Sequence, residues 1–334
     1  MRDNYFSFMK GLAIIAVLFI HTPFMDGDGS AAIVARQLVT YAVAMFFFLS
    51  GFFIKDNSLD LRGIHRILIP YVIWSILWFA ETTIKGSQPV TTWKIINSIF
   101  FGGAFFPLYF LVVLMELKVI SPWIVHHIEK LTKGYRYRFY KDWALLITPA
   151  MLCVLYAIQY ATRQQPLVYA QIFPTWFLFY YVGALMRFGG IKVNAPTALC
   201  CTLFGLYLSI LESAYINETL GVPFWAASQI KFSTFFYALS LCFLLMALHK
   251  KMERTWIVRL GEFSFGIYLL HLPVLKIVNI AVGKISYLLK SDNMGGGGVK
   301  QLVLIALTLI CCFLILTVAN KILPVKINRY LGFR

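Results

Sequence analysis

The sequence predicts an all-α, polytopic membrane helix bundle of about ten transmembrane helices with both termini cytoplasmic. Three observations predict it. Of the 334 residues, 60% are hydrophobic and 13% charged, against roughly a quarter charged in a water-soluble domain. The apolar residues gather into runs of about 20, the length a helix needs to cross a bilayer, separated by polar or Pro/Gly breaks. Lys and Arg number 30 against 14 Asp and Glu, a formal charge of +16, and this excess sits between the apolar runs rather than along one stripe. Such a composition excludes a soluble enzyme, a disordered chain and a disulfide-rich secreted module. Nucleic acid is not an expected partner.

The spans are expected at residues 6–24, 31–54, 67–84, 107–127, 143–161, 171–188, 195–213, 228–249, 260–282 and 299–322. The first follows Arg2 and Lys10 without a small-residue cleavage site, so it reads as a retained helix and not a signal peptide. Residues 93–106 are too short to span and are broken by Gly102 and Gly103, which suits an interfacial or re-entrant piece facing protein or water. Residues 129–142 are basic and aromatic, with Tyr135, Tyr137, Phe139 and Tyr140, and are expected against anionic lipid headgroups. The glycines at 295–298 lack a following Lys-Ser/Thr and read as a flexible loop, not a phosphate loop. Cys153, Cys200, Cys201, Cys242, Cys311 and Cys312 all lie in apolar runs, where cysteine packs as a small hydrophobe. No zinc spacing appears, and no metal is expected. Residues 1–334 read as one integral-membrane domain with no room for a separate soluble one.

Charge orients the bundle. With the N-terminus cytoplasmic, the inside receives Arg2 and Lys10, then Lys55, Arg62 and Arg66. It also receives Lys130, Lys133, Arg136, Arg138 and Lys141, then Arg187 and Lys192. Lys250, Lys251, Arg254 and Arg259 follow, and finally Lys321, Lys326, Arg329 and Arg334. Twenty of the 30 basic residues therefore fall on one side, as the positive-inside rule requires.

Ionisable residues inside spans are costly and mark either function or a paired structural site. His21, Glu116, Lys118, Glu212 and His271 qualify. Lys118 is long enough to snorkel, and Glu212 lies near an outer end. Glu116, in mid-span, needs a partner or a proton. Lys10 and His21 are eleven positions apart, nearly three turns, so they share a helix face at about 16 Å separation. Two readings stand: an anchoring Lys with an interfacial His, or a groove holding a long acyl carrier with a cation at its phosphate and an imidazole at its reactive end. Ser264, Tyr268 and His271 fall at i, i+4 and i+7 and form a polar stripe that should face the bundle. That stripe serves either interhelical hydrogen bonding or chemistry. Arg62, His65 and Arg66, followed by Pro70 and Tyr71, suit either positive-inside charge or a planar clamp on phosphate.

Four segments together resemble the integral-membrane acyltransferase-3 family. They are Lys10 with ten intervening residues and His21, the aromatic run Phe46-Phe47-Phe48-Leu49-Ser50-Gly51, the entrance Arg66-Ile67-Leu68-Ile69-Pro70-Tyr71, and Ser264-Phe265-Gly266-Ile267-Tyr268-Leu269-Leu270-His271. The chain departs from the family where Ser7 replaces an Asp, Gly63 replaces an Arg with Arg62 offset by one, and Lys10 replaces the commoner Arg. The resemblance implies transfer of an acyl group, usually acetyl, from cytoplasmic acetyl-CoA or another short acyl-CoA. The implied acceptor is a sugar hydroxyl of a surface polysaccharide or a lipid-linked oligosaccharide precursor, in a bacterial-type inner membrane. His21 would be the general base or transient acyl acceptor. Tyr268, Ser264 or His271 would face the oxyanion. Lys10, Arg66, Arg62 and Tyr71 would hold the CoA. Membrane lipids are further partners, and homo-oligomerisation stays open. As the alternative reading, spans with intramembrane charge and Pro-broken helices also describe a secondary transporter or glycolipid flippase.

Overall fold

The structure, a computed structural model, describes residues 3–22, 30–84, 91–100, 102–103, 106–132, 137, 139–164, 171–288 and 297–333. Among them the chain is helical and contains no strand. The first eight helices are α1 (Asn4–His21), α2 (Ser30–Gln37), α3 (Ala42–Phe52), α4 (Leu61–Ile84), α5 (Thr92–Phe100), α6 (Tyr109–Val119), α7 (Ser121–Thr132) and α8 (Ile147–Thr162). The others are α9 (Phe173–Phe188), α10 (Ala195–Glu218), α11 (Pro223–Ala226), α12 (Phe232–Ala247), α13 (Trp256–Glu262), α14 (Ser264–Leu288), α15 (Gly297–Ile322) and α16 (Val325–Tyr330).

Among the described residues, seven stretches are long and apolar enough to cross a membrane, and the pair α6–α7, bent by 51°, makes an eighth. The other two expected spans are α9 and α12, of 16 residues each. Three expected spans are broken. In the fourth, Pro122 cannot donate to the Lys118 carbonyl, and the Ser121 hydroxyl takes that carbonyl at 2.8 Å instead, so the helix turns at the proline. The second breaks between α2 and α3, where Thr40 Oγ1 donates to the Gln37 carbonyl at 2.8 Å. The ninth breaks at Phe263, between α13 and α14. Residues 92–100 form a short helix, α5, within the stretch read as interfacial. Gly297 and Gly298 open α15 rather than belonging to a loop. Arg2, Phe24, Lys133, Tyr135, Arg136, Arg138, Gly295, Gly296 and Arg334 lie outside the described residues.

The chain divides into two compact units. The first holds Met1–Val43, Ala195–Gln229 and Ser233–Arg334, and the second holds Ala44–Asn194 and Ile230–Phe232.

In the first unit α1 lies backbone to backbone on α13. A Cβ on Gly11 would overlap the Ile257 carbonyl, and one on Gly261 would overlap the Ser7 carbonyl. Only glycine permits that approach. Gln37, fully buried, ties α2 to its neighbours: its amide donates to the Ile33 carbonyl at 2.9 Å and accepts from Ser209 of α10 at 2.9 Å. Glu212 of α10 accepts from the Ser233 backbone amide of α12 at 3.2 Å and from the Ser233 hydroxyl.

The core of the second unit is α9, buried on most of its circumference by Trp176, Phe177, Phe179, Tyr180 and Tyr181. It meets α3 through a reciprocal pair: Gly51 lies on the Tyr180 carbonyl and Gly183 on the Phe48 carbonyl. The Ser50-Gly51 that ends the aromatic run is thus a packing contact. Asp142 anchors the last part of the 129–142 segment. Buried to 4% exposure, it accepts from Tyr137 at 2.6 Å, His127 at 3.1 Å, the Ala144 amide at 3.1 Å and the Tyr181 hydroxyl. Phe139 and Tyr140 are exposed, so this segment divides between an inward anchor and an outward aromatic face.

Candidate active site

The first unit brings His21 and His271 together. His21 is the last residue of α1, whose N-terminus is capped by Asp3 accepting from the Tyr5 amide at 2.9 Å. The far end is closed by Thr22, which donates to the Leu18 carbonyl through its amide at 2.9 Å and its hydroxyl at 2.7 Å. Gln301 of α15 adds its amide to the carbonyls of Thr22 at 3.3 Å and Phe19 at 3.4 Å. Two of the last carbonyls of the helix, those of Leu18 and Phe19, are thereby satisfied inside the protein, next to the backbone that carries His21.

His271 lies seven residues into α14, two before Pro273. Proline leaves the carbonyl four residues earlier without its usual donor and loosens the helix there. The His271 ring bends back so that Nδ1 meets the Tyr268 carbonyl at 2.6 Å. A carbonyl only accepts, so Nδ1 carries a proton; in a neutral ring Nε2 is then the acceptor. That nitrogen is buried and has no hydrogen-bond partner among the described residues. The His271 ring centroid stands 5.2 Å from that of His21, with the ring planes at 49°. Tyr268 lies 6.0 Å from His271, ring to ring. Arg36 of α2 is within electrostatic range of His21.

The remaining candidates are spread more widely. Lys10 is half-buried on α1, about 16 Å along the helix axis from His21. Ser264 is the first residue of α14 and is buried, about 10 Å along that axis from His271. Arg62 and Arg66 are exposed on the first turns of α4 in the second unit. Tyr71, also on α4, is buried and its hydroxyl donates to the Ser98 carbonyl of α5 at 2.9 Å. Glu116 accepts from the Phe173 backbone amide at 3.0 Å and so caps α9. Lys118 pairs with Asp60 at 3.0 Å. No cluster of three or more metal-ligating side chains occurs among the described residues.

Three elements of this arrangement escape a reading of the sequence. Gln301 and Arg36 are single polar residues in or beside apolar runs, a weak signal. The Asp142 anchor draws on His127 and Tyr181 from other helices, and nothing local announces it.

The comparisons agree with the reading from motifs. No curated protein and no solved structure matched the chain. The family model described as an acyltransferase domain, of acyltransferase-3 type, covers residues 3–317. That stretch includes the first-helix Lys10 and His21, all of the second compact unit, most of the first, and the paired histidines. With so nearly complete a match laid over long apolar helices, the chain belongs to the acyltransferase-3 family of membrane proteins.

Proposed function

We propose that the protein moves a short acyl group, acetyl first among the candidates, from acyl-CoA to a sugar hydroxyl of a surface polysaccharide or its lipid-linked precursor. The observation that carries this reading is the His21–His271 pair, with a buried, lone-pair-bearing Nε2 beside the first-helix imidazole. His21 is the catalytic base. One of its ring nitrogens takes the proton of the acceptor hydroxyl as that oxygen attacks the thioester carbonyl. The C–S bond then breaks, and the same proton passes to the departing CoA thiolate. His271 is a positioning residue: its buried Nε2, which has no hydrogen-bond partner among the described residues, is the acceptor offered to the other nitrogen of His21 once the acceptor hydroxyl engages the first, so that the reacting nitrogen keeps its lone pair. In other acyl-transfer sites a base is held in its tautomer by a third group, and His271 takes that part here. Tyr268 is the donor to the developing oxyanion. In the same unit as the histidine pair, Lys10 binds the donor phosphates.

The reading treats residues 1–334 as one acyltransferase domain in a bacterial-type inner membrane. Family membership favours it over a transporter or flippase. In detergent, acetyl-CoA but not ATP raises the melting temperature, because a ligand bound only by the folded state stabilises it. With acetyl-CoA and de-O-acetylated polysaccharide, the protein releases CoA thiol and acetylates the glycan. His21→Ala abolishes transfer and keeps the thermal shift. Undiminished transfer by His21→Ala overturns the role of His21, and absence of any shift overturns acyl-CoA as donor.

A further inference from the structure

Arg36 of the first unit lies near the start of the apolar stretch Ala31–Phe52, and acyl transfer by the histidine pair makes no use of it. The next residue, Gln37, fixes the helix that carries it: its amide donates to the carbonyls of Ile33 at 2.9 Å and Ala226 at 3.3 Å and accepts from Ser209 at 2.9 Å. The exposed side of α2 bears Ala31 and Val34. They are five and two residues from Arg36, about 140° and 160° away around a helix of 3.6 residues per turn, so the guanidinium leaves α2 away from its exposed side. It leaves towards His21, on which Arg36 and His271 both act electrostatically. The backbone agrees. Tyr41 donates to the Leu12 carbonyl of α1 at 3.4 Å. From that bond Arg36 is five residues back and His21 nine residues on, about 8 Å and 14 Å along their helices at 1.5 Å per residue. The difference in depth is within reach of an extended arginine side chain.

No carboxylate among the described residues acts on this guanidinium, and its side chain forms no ion pair or hydrogen bond among them. Glu212, Asp3 and Glu262 of the same unit are engaged by Ser233, His249 and Arg254. An arginine inside a span without a counter-ion is costly and marks a functional site. The turn that carries His21 has a second unmet group. Gln301 places its amide nitrogen on the carbonyls of Phe19 and Thr22, on either side of His21. Its Oε1 is buried and has no hydrogen-bond partner among the described residues. That oxygen only accepts, so a hydroxyl or an N–H is what it lacks.

A ligand that meets both needs carries an anion and hydroxyl groups. We propose that the acceptor is an anionic glycan and that Arg36 selects it by binding its oxyanion, a sugar carboxylate or the pyrophosphate of a lipid-linked precursor. Arginine's planar fork grips either through two parallel hydrogen bonds. Arg36 and His21 are both half-buried, so one ligand meets the guanidinium and the imidazole together. The inference rests on the acyl-transfer reading and names the substrate class of its acceptor.

The test is thermal unfolding of the full chain in neutral detergent, without acyl-CoA, over a concentration series of three probes. They are trigalacturonate, the same trisaccharide with its carboxyls reduced to alcohols, and farnesyl pyrophosphate. The rise in melting temperature with concentration gives each affinity. The wild type binds at least one charged probe about 10- to 100-fold more tightly than the neutral trisaccharide, the scale of one charge-assisted hydrogen bond. Arg36→Gln loses that preference and binds the neutral probe as the wild type does. Arg36→Lys, which keeps the charge without the fork, retains part of it. Preference for trigalacturonate assigns the site to a sugar carboxylate, and preference for farnesyl pyrophosphate assigns it to the carrier. No preference for either charged probe, or an Arg36→Gln that weakens charged and neutral probes alike, overturns the proposal. Phosphatidylglycerol that stabilises the wild type as well as the charged probes do, and does so through Arg36, makes this a headgroup contact and also overturns it. Acetyl-CoA is added last: Arg36-dependent binding of a charged probe with no release of CoA thiol upholds the anion site and refutes acyl transfer, a failure distinct from that of the site.

Discussion

At the scale of single residues the paired imidazoles divide one task between two groups. The Tyr268 carbonyl, accepting from His271 Nδ1 at 2.6 Å, directs the His271 lone pair outward from its own helix. His21, 5.2 Å away ring to ring, is where that lone pair is of use. If His271 acts only as an acceptor, a side chain that accepts should replace it in part. His271→Leu then lowers kcat by roughly 100-fold, the lower end of general acid–base contributions, with KM for acyl-CoA unchanged. His271→Gln, whose amide oxygen accepts, recovers a large part of the loss. Steady-state kinetics on the three proteins decide it: equal losses in Leu and Gln variants, or a change confined to KM, sink the positioning role. The sequence made the polar stripe of Ser264, Tyr268 and His271 legible, because i, i+4 and i+7 share a face. It did not say which member of the stripe meets His21. That depends on the packing of α1 against α13 and α14 and on the closure of α1 by Gln301, the last made between residues 279 and 282 apart in the chain.

At the scale of elements, two intramembrane glutamates that read as site candidates are helix caps. Glu116 accepts from the Phe173 amide at the start of α9 and Glu212 from the Ser233 amide at the start of α12. Helices α9 and α12 have 16 residues each, about 24 Å at 1.5 Å per residue, against a hydrocarbon core of about 30 Å. A helix that begins inside that depth must have its first amides satisfied by protein, and a carboxylate on a neighbouring helix does so while complementing the helix dipole. Glu116→Ala should therefore cost about 0.5–2 kcal/mol, the range for a lost cap, and lower the melting temperature. Activity per folded molecule stays at the wild-type level. A transfer defect without a fall in stability would return Glu116 to the chemistry. The glycine contacts make a sharper demand. Gly261→Val drives α1 from α13 by forcing a side chain onto the Ser7 carbonyl, an overpacking of about 1–3 kcal/mol or more. Because the histidine pair depends on that seam, this variant loses transfer together with thermal stability, and retained transfer at an unchanged melting temperature would refute the seam. The run around each glutamate showed that a charge was there. Its partner, 57 residues away for Glu116, was beyond any local pattern.

At the scale of the whole molecule the question is how many times the chain crosses, since that number sets which loops meet the donor. Seven stretches and one bent pair satisfy length and apolarity among the described residues. The total reaches ten only if both 16-residue helices cross. Their caps are the reason to count them. A helix end sealed by a buried carboxylate can stop short of the interface without exposing amides to lipid, and α9 turns mostly protein-facing side chains outward. With ten crossings the chain ends on the side where it begins, and the loops bearing Lys55, Lys192 and Lys250 share that side, as the basic bias requires. With either short helix removed, the termini separate and half of that bias is on the wrong face. Single cysteines introduced at Ser58, Lys192, Gly221 and Met252 in a background without the six native ones, which form no disulfide in the structure, read this directly. An impermeant maleimide applied to intact cells should label position 221 alone, and permeabilisation should expose the other three. Labelling of position 192 in intact cells would mean that α9 does not cross. Labelling of 252 together with 221, with 192 still protected, would remove α12 from the count instead. Either result moves His21 or its acceptor relative to the CoA pool and would require the donor and the glycan to meet on a different face from the one that charge predicts.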